Sequence, residues 1–484
     1  MKGERNMKAN KFSIFNFLIP RERLFQFSII IALCAMMCSC GVYKKYQPQQ
    51  EAPKDLFGQT TIGDTLDLTT DNMAELSWRE FFVDPILQDL IDSALVRNTD
   101  MRSAQLTLKK AEASLKAAKL AFLPSLSLQP SASVYSTMGT NGSLSGASYT
   151  YDIPLQLDWN VGISGSRIVG KRKAQAVVEQ AKAQRDAMQA NIISTMAQQY
   201  FMLLLLDRQL EILQETDSLW NESLETERAL WENGKAYSTA VNQMESSNLS
   251  VKVQIVDTRR SIKNIENSIC QMLGLTPQTI RRNTWGDYAL PERFGTGVPG
   301  VLLQNRPDIR LADHMLEEAF YNTASARAAF YPSLSLQGIL GWTNNGGIIT
   351  DPGALILKAI GSLVQPIFQQ GKLQANLKIA KYEQEEQLDQ YVQTVINAGN
   401  EVNECLADCQ TAYDKNLLYQ RQVEVLQDAY EGTHELMNSG KASYLEVLTA
   451  QESLLSAQLN EAENLYKGSI ALIGLYIALG GATK

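Results

Sequence analysis

The chain has 484 residues, 45% of them apolar and 20% charged, with a mean hydropathy of −0.18 and a formal net charge of −8. This is the bulk composition of a soluble globular protein of two or three domains, and the acidic balance excludes the basic surface that a nucleic-acid partner requires. The only two histidines, His314 and His434, fall in no ligand-like cluster. No Gly-rich phosphate loop or nucleophile elbow occurs, so the sequence offers little to an enzyme and no cofactor site.

Residues 1–39 read as a secretion signal. Lys2, Arg5, Lys8, Lys11, Arg21 and Arg23 outnumber Glu4 and Glu22, and the apolar run Leu24 to Met37 is too short to span a bilayer. The run ends Met37-Cys38-Ser39-Cys40-Gly41, which resembles a bacterial lipoprotein processing site with Cys40 as the acylated first residue, carrying diacylglycerol and an N-acyl chain. Met37 departs from the usual Leu, Cys34 and Cys38 are rival positions, and an ordinary signal peptide cut elsewhere is the alternative. A lipid on Cys40 tethers a chain without threading it through the bilayer. Loss of residues 1–39 removes six bases and two acids and leaves a mature charge of −12.

Residues 40–77 carry no period of 2 or 3.6 and predict an extended leader. A first repeat, 78–275, opens with Trp78, Phe81 and Phe82, then Asp84-Pro85 as an N-cap with a first-turn proline; a helix hairpin continues through Asn98 to Phe122. Pro124 breaks the helix, and alternation over about 124–136 and 149–163 predicts two long strands. Tyr151, Ile153, Leu155, Leu157, Trp159, Val161 and Ile163 alternate with Asp152, Gln156, Asp158 and Asn160, at the length and with the apolar-out, polar-in faces of membrane-crossing strands. From Lys171 to Asn233 no Gly or Pro occurs, which predicts a helix on the order of 95 Å long. Leu203, Leu206, Leu210, Leu213, Trp220, Leu224 and Trp231 at 3-4 spacings face Val251, Ile255, Ile262, Ile265, Ile269 and Met272 on a returning arm, a coiled-coil-like hairpin turning at Gly234.

A Pro/Gly-bearing connector, 276–300, separates this from a second repeat, 301–484. Ala121 to Leu128 returns almost unchanged as Ala329 to Leu336, at an offset of 208 that also pairs Asp100 with Asp308 and Leu108 with Leu316. Beyond the strands the offset becomes 206, and Gly234-Lys235-Ala236 falls on Gly440-Lys441-Ala442. The second repeat therefore predicts helices, strands about 332–343 and 354–368, and a long hairpin turning at Gly440, with Gly399 and Gly432 as places for its first arm to bend. Cys405 and Cys409 share a helical face; they read as packed small residues, with a soft-metal site as the lesser alternative.

No run after Cys40 reaches 18 apolar residues, so any membrane crossing is by β-barrel. Four strands cannot close one. Two copies give eight strands and a filled bore, whereas three give twelve and room for water, so an oligomer of three or more follows. The fold expected is mainly α, with long helical hairpins and four strands per chain contributed to a twelve-stranded shared barrel.

Several short motifs, in this order and spacing, resemble the TolC-like outer-membrane efflux proteins, in particular the lipoprotein branch serving resistance-nodulation-division pumps. They are Trp78 with Phe82-Val83-Asp84-Pro85 and Asn98, Arg306-Pro307-Asp308-Ile309 leading to Phe330-Tyr331-Pro332-Ser333, Gln365-Pro366-Ile367-Phe368 before Gly371, and Gly440 to Leu448 followed by Ala450-Gln451. The resemblance implies a homotrimer in the outer membrane of a Gram-negative bacterium, with a helical tunnel in the periplasm, a periplasmic adaptor and an inner-membrane pump as partners, and small toxic compounds as cargo. It also implies a pore constriction at the tip: Glu446 stands at an acidic position, with Tyr444 beside it, and Thr449 stands where some members carry a second acid. Three copies of Glu446 crowded together raise one another's pKa and attract cations; a solvated first-turn carboxylate is the plainer reading. Gly234, Lys235, Gly440 and Lys441 are the expected adaptor contacts, unless the lysines are merely solvated. Two other functions stay open: export of polypeptides by a type I system, and a structural coiled-coil lipoprotein of the periplasm that never forms a channel.

Overall fold

The structure is a computed structural model that describes residues 44–48, 73, 76–136, 138, 142, 146–285, 305–344 and 354–482. Cys40 and the signal segment lie outside the described residues. The chain divides into a strand unit, containing 122–169 and 324–373, and a helical unit, containing 46–121, 170–323 and 374–482.

In chain order the elements are α1 (Trp78–Phe81), α2 (Pro85–Arg97), α3 (Thr99–Leu120), β1 (Ser125–Leu128), β2 (Ser131–Tyr135), β3 (Ser148–Asn160), α4 (Ser166–Glu232), α5 (Ser238–Met272), α6 (Pro307–Ala328), β4 (Ser333–Thr343), β5 (Ala354–Val364), α7 (Lys372–Asn438) and α8 (Tyr444–Ala478). The internal repeat is visible in these bounds. α3 and α6 match at an offset of 208, while α4 with α7 and α5 with α8 match at 206.

Local chemistry starts the first helices. Glu80 Oε2 accepts from the Ser77 backbone N–H at 2.8 Å in a capping box on α1. Asp84 Oδ1 accepts from Ile86 N–H at 2.8 Å with Pro85 at the first position of α2, and Asn98 Oδ1 accepts from the N–H groups of Asp100 and Met101 at the start of α3. Asn98 also donates from Nδ2 to the Met272 carbonyl, and its repeat partner Arg306 donates from Nη1 to the matching carbonyl of Ala478. Two unlike side chains close the same joint in the two copies.

The helical unit packs around α8. One cluster joins α1, α2, α4, α5 and α8 through Trp78, Phe82, Ile91, Met196, Tyr200, Ile269 and Tyr476. A second joins α4, α5 and α8 through Leu205, Leu213, Trp220, Val251, Leu448 and Leu455, and a third joins α6, α7 and α8 through Ile309, Val395, Val402, Leu406 and Leu475. Because α4 meets neighbours on several sides, Leu203, Leu204, Leu205 and Leu206 are all buried in succession, a wider contact than the single seam expected. The expected seam also overreaches at its end: Trp231 is 47% exposed. α7 runs unbroken through Gly399 and Gly432, its i to i−4 bonds sufficing to carry both glycines.

The sheet has the order β1/β2–β3–β4–β5, all antiparallel. The strand expected over 124–136 is split at Gln129-Pro130, because Pro130 has no N–H for the ladder; Gln129 N–H still reaches the Pro154 carbonyl at 3.2 Å, and the register with β3 is the same on both sides of the break. β3 ends at Asn160 and β5 at Val364, short of the expected 163 and 368: Gly162 turns the chain at φ +63° after β3, and Pro366 follows β5.

Candidate functional site

The paired registers settle which side chains share a face of the sheet. Ile153 lies opposite Trp342, Leu155 opposite Leu340 and Leu128, Leu157 opposite Leu126, and Trp342 opposite Leu355. One face therefore carries Leu126, Leu128, Val134, Ile153, Leu155, Leu157, Trp159, Leu336, Leu340, Trp342, Leu355, Leu357 and Leu363. All of them are exposed, Leu357 to 81%. The opposite face carries Ser125, Ser127, Ser133, Asp152, Gln156, Asp158, Gln337 and Ser335. On it Asp158 accepts from Gln156 Nε2 at 2.9 Å and from Gln337 Nε2 at 3.0 Å, a polar cross-strand network on the side away from the apolar band. Among the described residues, the buried apolar clusters include none of the apolar face's side chains. β1/β2 and β5 each pair on one side only among the described residues, and no described helix is long and apolar enough to cross a membrane. An apolar face of this extent with open edges is stable only against lipid and with further strands completing the ladder.

The two hairpin turns of the helical unit share one geometry. Gly234 and Gly440 both sit at φ +71°. In the first turn Gly234 N–H donates to the Trp231 carbonyl at 2.9 Å and Lys235 N–H to the Leu230 carbonyl at 2.8 Å. In the second, Gly440 and Lys441 repeat this to Met437 and Leu436 at 2.9 and 2.8 Å. This is the helix-ending motif in which a left-handed residue returns two N–H groups to the last turn, and it explains glycine at both positions. Lys235 and Lys441 are exposed just beyond.

The start of α8 gathers the other expected tip residues. Tyr444 donates its hydroxyl to Gln243 Oε1 on α5 at 3.2 Å. Glu446 Oε2 accepts from Ser443 N–H at 2.7 Å and from Ser443 Oγ at 3.2 Å. Thr449 is exposed and donates Oγ1 back to the Leu445 carbonyl at 2.7 Å. Glu446 is thus the second half of a capping box as well as an exposed acid, and Ser443-x-x-Glu446 is the sequence signal for it. The Gln243 partner had no such signal. Arg228 pairs with Glu245 at 3.1 Å and Ser247 with Glu452 at 3.2 Å, adding polar ties between α4 and α5 and between α5 and α8.

Among the described residues no group of three or more His, Cys, Asp or Glu is arranged to hold a metal. Burial pushes the Cys405 thiol up to about 11 and the Cys409 thiol to about 12, so both stay protonated and pack as small apolar groups. His314 meets Glu317 on its own helix at 3.0 Å.

An antiparallel sheet with one greasy exposed face and one polar face, on a chain of two repeated long helical hairpins, defines a subunit of a membrane β-barrel with a helical extension. Residues 90–275 and 298–481 match the family model described as outer membrane efflux protein. The chain is 30% identical over 470 residues to the cation efflux system protein CusC of Escherichia coli O6:H1, covering 95% of this chain and 98% of that one. It is 28% identical over 460 residues to the probable outer membrane lipoprotein SilC of Salmonella typhimurium, covering 93% and 98%. The solved outer-membrane channel OprN superposes with a TM-score of 0.82 at 23% identity, over 92% of this chain and all of that one, which concerns the fold. The chain belongs to the outer membrane efflux protein family. It is an outer-membrane channel, the exit duct of an efflux system, with its helical part in the periplasm; it is not an enzyme.

Proposed function

We propose that three copies of this chain close a twelve-stranded barrel in the outer membrane and release small toxic compounds received from an inner-membrane resistance-nodulation-division pump through a periplasmic adaptor. The observation that supports this most is the open sheet, whose apolar face suits lipid and whose Ser, Gln and Asp face suits water. Three copies give a bore wide enough for water, whereas two give one that side chains fill. A lumen of small polar groups selects weakly, so the pump chooses the cargo. Cations are one candidate class, since the relative CusC is named for cation efflux.

In the same reading Cys40 carries the lipid, supported by its place at the end of the apolar signal run and by a relative named as a lipoprotein. Tyr444, Glu446 and Thr449 form the constriction at the tip, and Gly234, Lys235, Gly440 and Lys441 meet the adaptor. The repeat of one turn geometry at both tips favours a partner that grips both alike. The test is deletion of the gene in its host. The expected result is sensitisation to small toxic compounds, reversed by the wild-type chain, with ohmic conductance when the purified protein is placed in planar bilayers. Loss of a secreted polypeptide with unchanged sensitivity would overturn the reading.

A further inference from the structure

Tyr46 fastens the leader to the helical unit. Its phenol donates to Asp313 Oδ1 at 2.7 Å, its N–H donates to the Tyr321 hydroxyl at 3.4 Å, and its ring lies by Phe320 with centroids 5.8 Å apart. Burial, and then the Asp313 hydrogen bond, push the phenol far above its ordinary pKa and keep it a donor. All three partners stand on α6. The repeat supplies an internal control: at an offset of 208 the matching positions on α3 are Gln105, Glu112 and Ala113, all exposed, which lack the alignment of carboxylate, ring and hydroxyl. Of two repeated helices, one is built to receive a tyrosine.

We propose that this clamp is the positioning site of the lipid anchor: it selects α6 over α3 and sets how far an acylated Cys40 can reach. The inference rests on the lipidation reading above. The six-residue step from Cys40 to Tyr46 extends to at most about 22 Å. From Asp313, α6 continues to Ala328, a rise of about 22 Å. A fully extended tether therefore only just spans the part of α6 beyond the clamp, and there is no slack to lose. Tyr46 acts here as a positioning residue.

The experiment uses the full-length chain in its own outer membrane with radiolabelled palmitate. Wild type, Tyr46→Ala and Asp313→Ala are expected to take up equal label, while trypsin cuts after the exposed Lys45 at least tenfold faster in the two variants, with Tyr46→Phe in between. Deleting residues 42–44 leaves Gly41 beside Cys40 and shortens the tether by about 10 Å. That deletion is expected to lower the yield of denaturant-resistant oligomer at least tenfold, and Tyr46→Ala in the same chain is expected to restore it by freeing the leader. A labelled deletion variant that assembles normally, or one that Tyr46→Ala fails to restore, overturns the clamp. A wild-type chain without label overturns the lipidation reading itself.

Discussion

Arg282 sits where the connector between the repeats crosses the helical unit, and its replacement tests whether that crossing is a structural joint. Its guanidinium makes two bonds to Asp207, donates to Glu266 Oε1 at 2.8 Å and to the Ile280 carbonyl at 2.9 Å. Glu266 has 5% of its side chain exposed and Arg282 15%. The hydrogen bond to Asp207 holds the guanidinium above its ordinary pKa, against the opposing effect of burial and with help from Glu266. Arg282→Met leaves the buried Glu266 with only the half-exposed Lys263, 3.5 Å away, as a cation, so the loss falls in the lower part of the about 3–5 kcal/mol that breaking one side of a buried pair costs. Asp207 is more exposed and contributes less. Amide exchange along the carboxy-terminal half of α5, around Glu266, is therefore expected to quicken by roughly 10²- to 10³-fold, while exchange in the strands stays unchanged. The double variant Arg282→Met with Glu266→Leu is expected to recover most of the loss, because it removes both charges together. Acceleration below about fivefold in the single variant, or no recovery in the double, would refute the reasoning.

Asp84 gives a pH dependence. Burial raises its carboxyl pKa, but hydrogen bonds from the Tyr200 hydroxyl, the Ile86 N–H and Asn283 Nδ2 outweigh this and hold it below the usual carboxylate value. A depressed folded value contributes stability above the unfolded pKa, about 3.9, that is lost as pH falls through the lower folded one. The stability gap between wild type and Asp84→Asn, measured by thermal unfolding, is expected to be constant above about pH 5 and to close toward pH 2; a gap that widens on acidification contradicts it. Gly234→Ala and Gly440→Ala, with φ +71° and open space around each, are expected to cost about 1–2 kcal/mol apiece and equally, read as matched losses in tip amide protection. Glu446→Gln keeps an acceptor for Ser443 and so is expected to leave α8 intact while lowering cation preference in bilayer recordings, whereas Ser443→Ala loosens the helix start by about 1 kcal/mol with selectivity unchanged. Leu357→Lys is expected to cost about 2–4 kcal/mol if its face meets lipid, but within about 0.5 kcal/mol in water, as assayed by refolding into vesicles.

Much of the fold was legible in residues whose spacing answers to one neighbour. β3 alternates without a fault, so its two faces could be assigned from the sequence, and the repeated junction at Ala121 and Ala329 fixed where helix yields to strand. β5 was harder to read, because Ile356 and Ile360 sit on the polar face beside Lys358 and blur the period. α4 exceeded its expected seam because it is enclosed by α5 and α8 together, and a single period cannot report two partners. At the tips, glycine and lysine were visible as turn residues, and Ser443-x-x-Glu446 carried a capping signal that the acidic-ring reading obscured. Arg282 and Tyr46 left no local trace. Their partners lie 75 and 267 residues away, Asp207 and Asp313, and only tertiary structure brings such groups together.

The most direct test of the shared barrel is to walk paired cysteines along Ser125–Leu128 and Ala354–Val364, one in each outer strand of the same chain, with Cys270, Cys405 and Cys409 replaced by alanine. Under oxidation in the outer membrane, the account predicts at least one register at which the chains join edge to edge into a covalent ladder that stops at three. A protein that stays monomeric at every register, or closes β1 onto β5 within one chain, contradicts it.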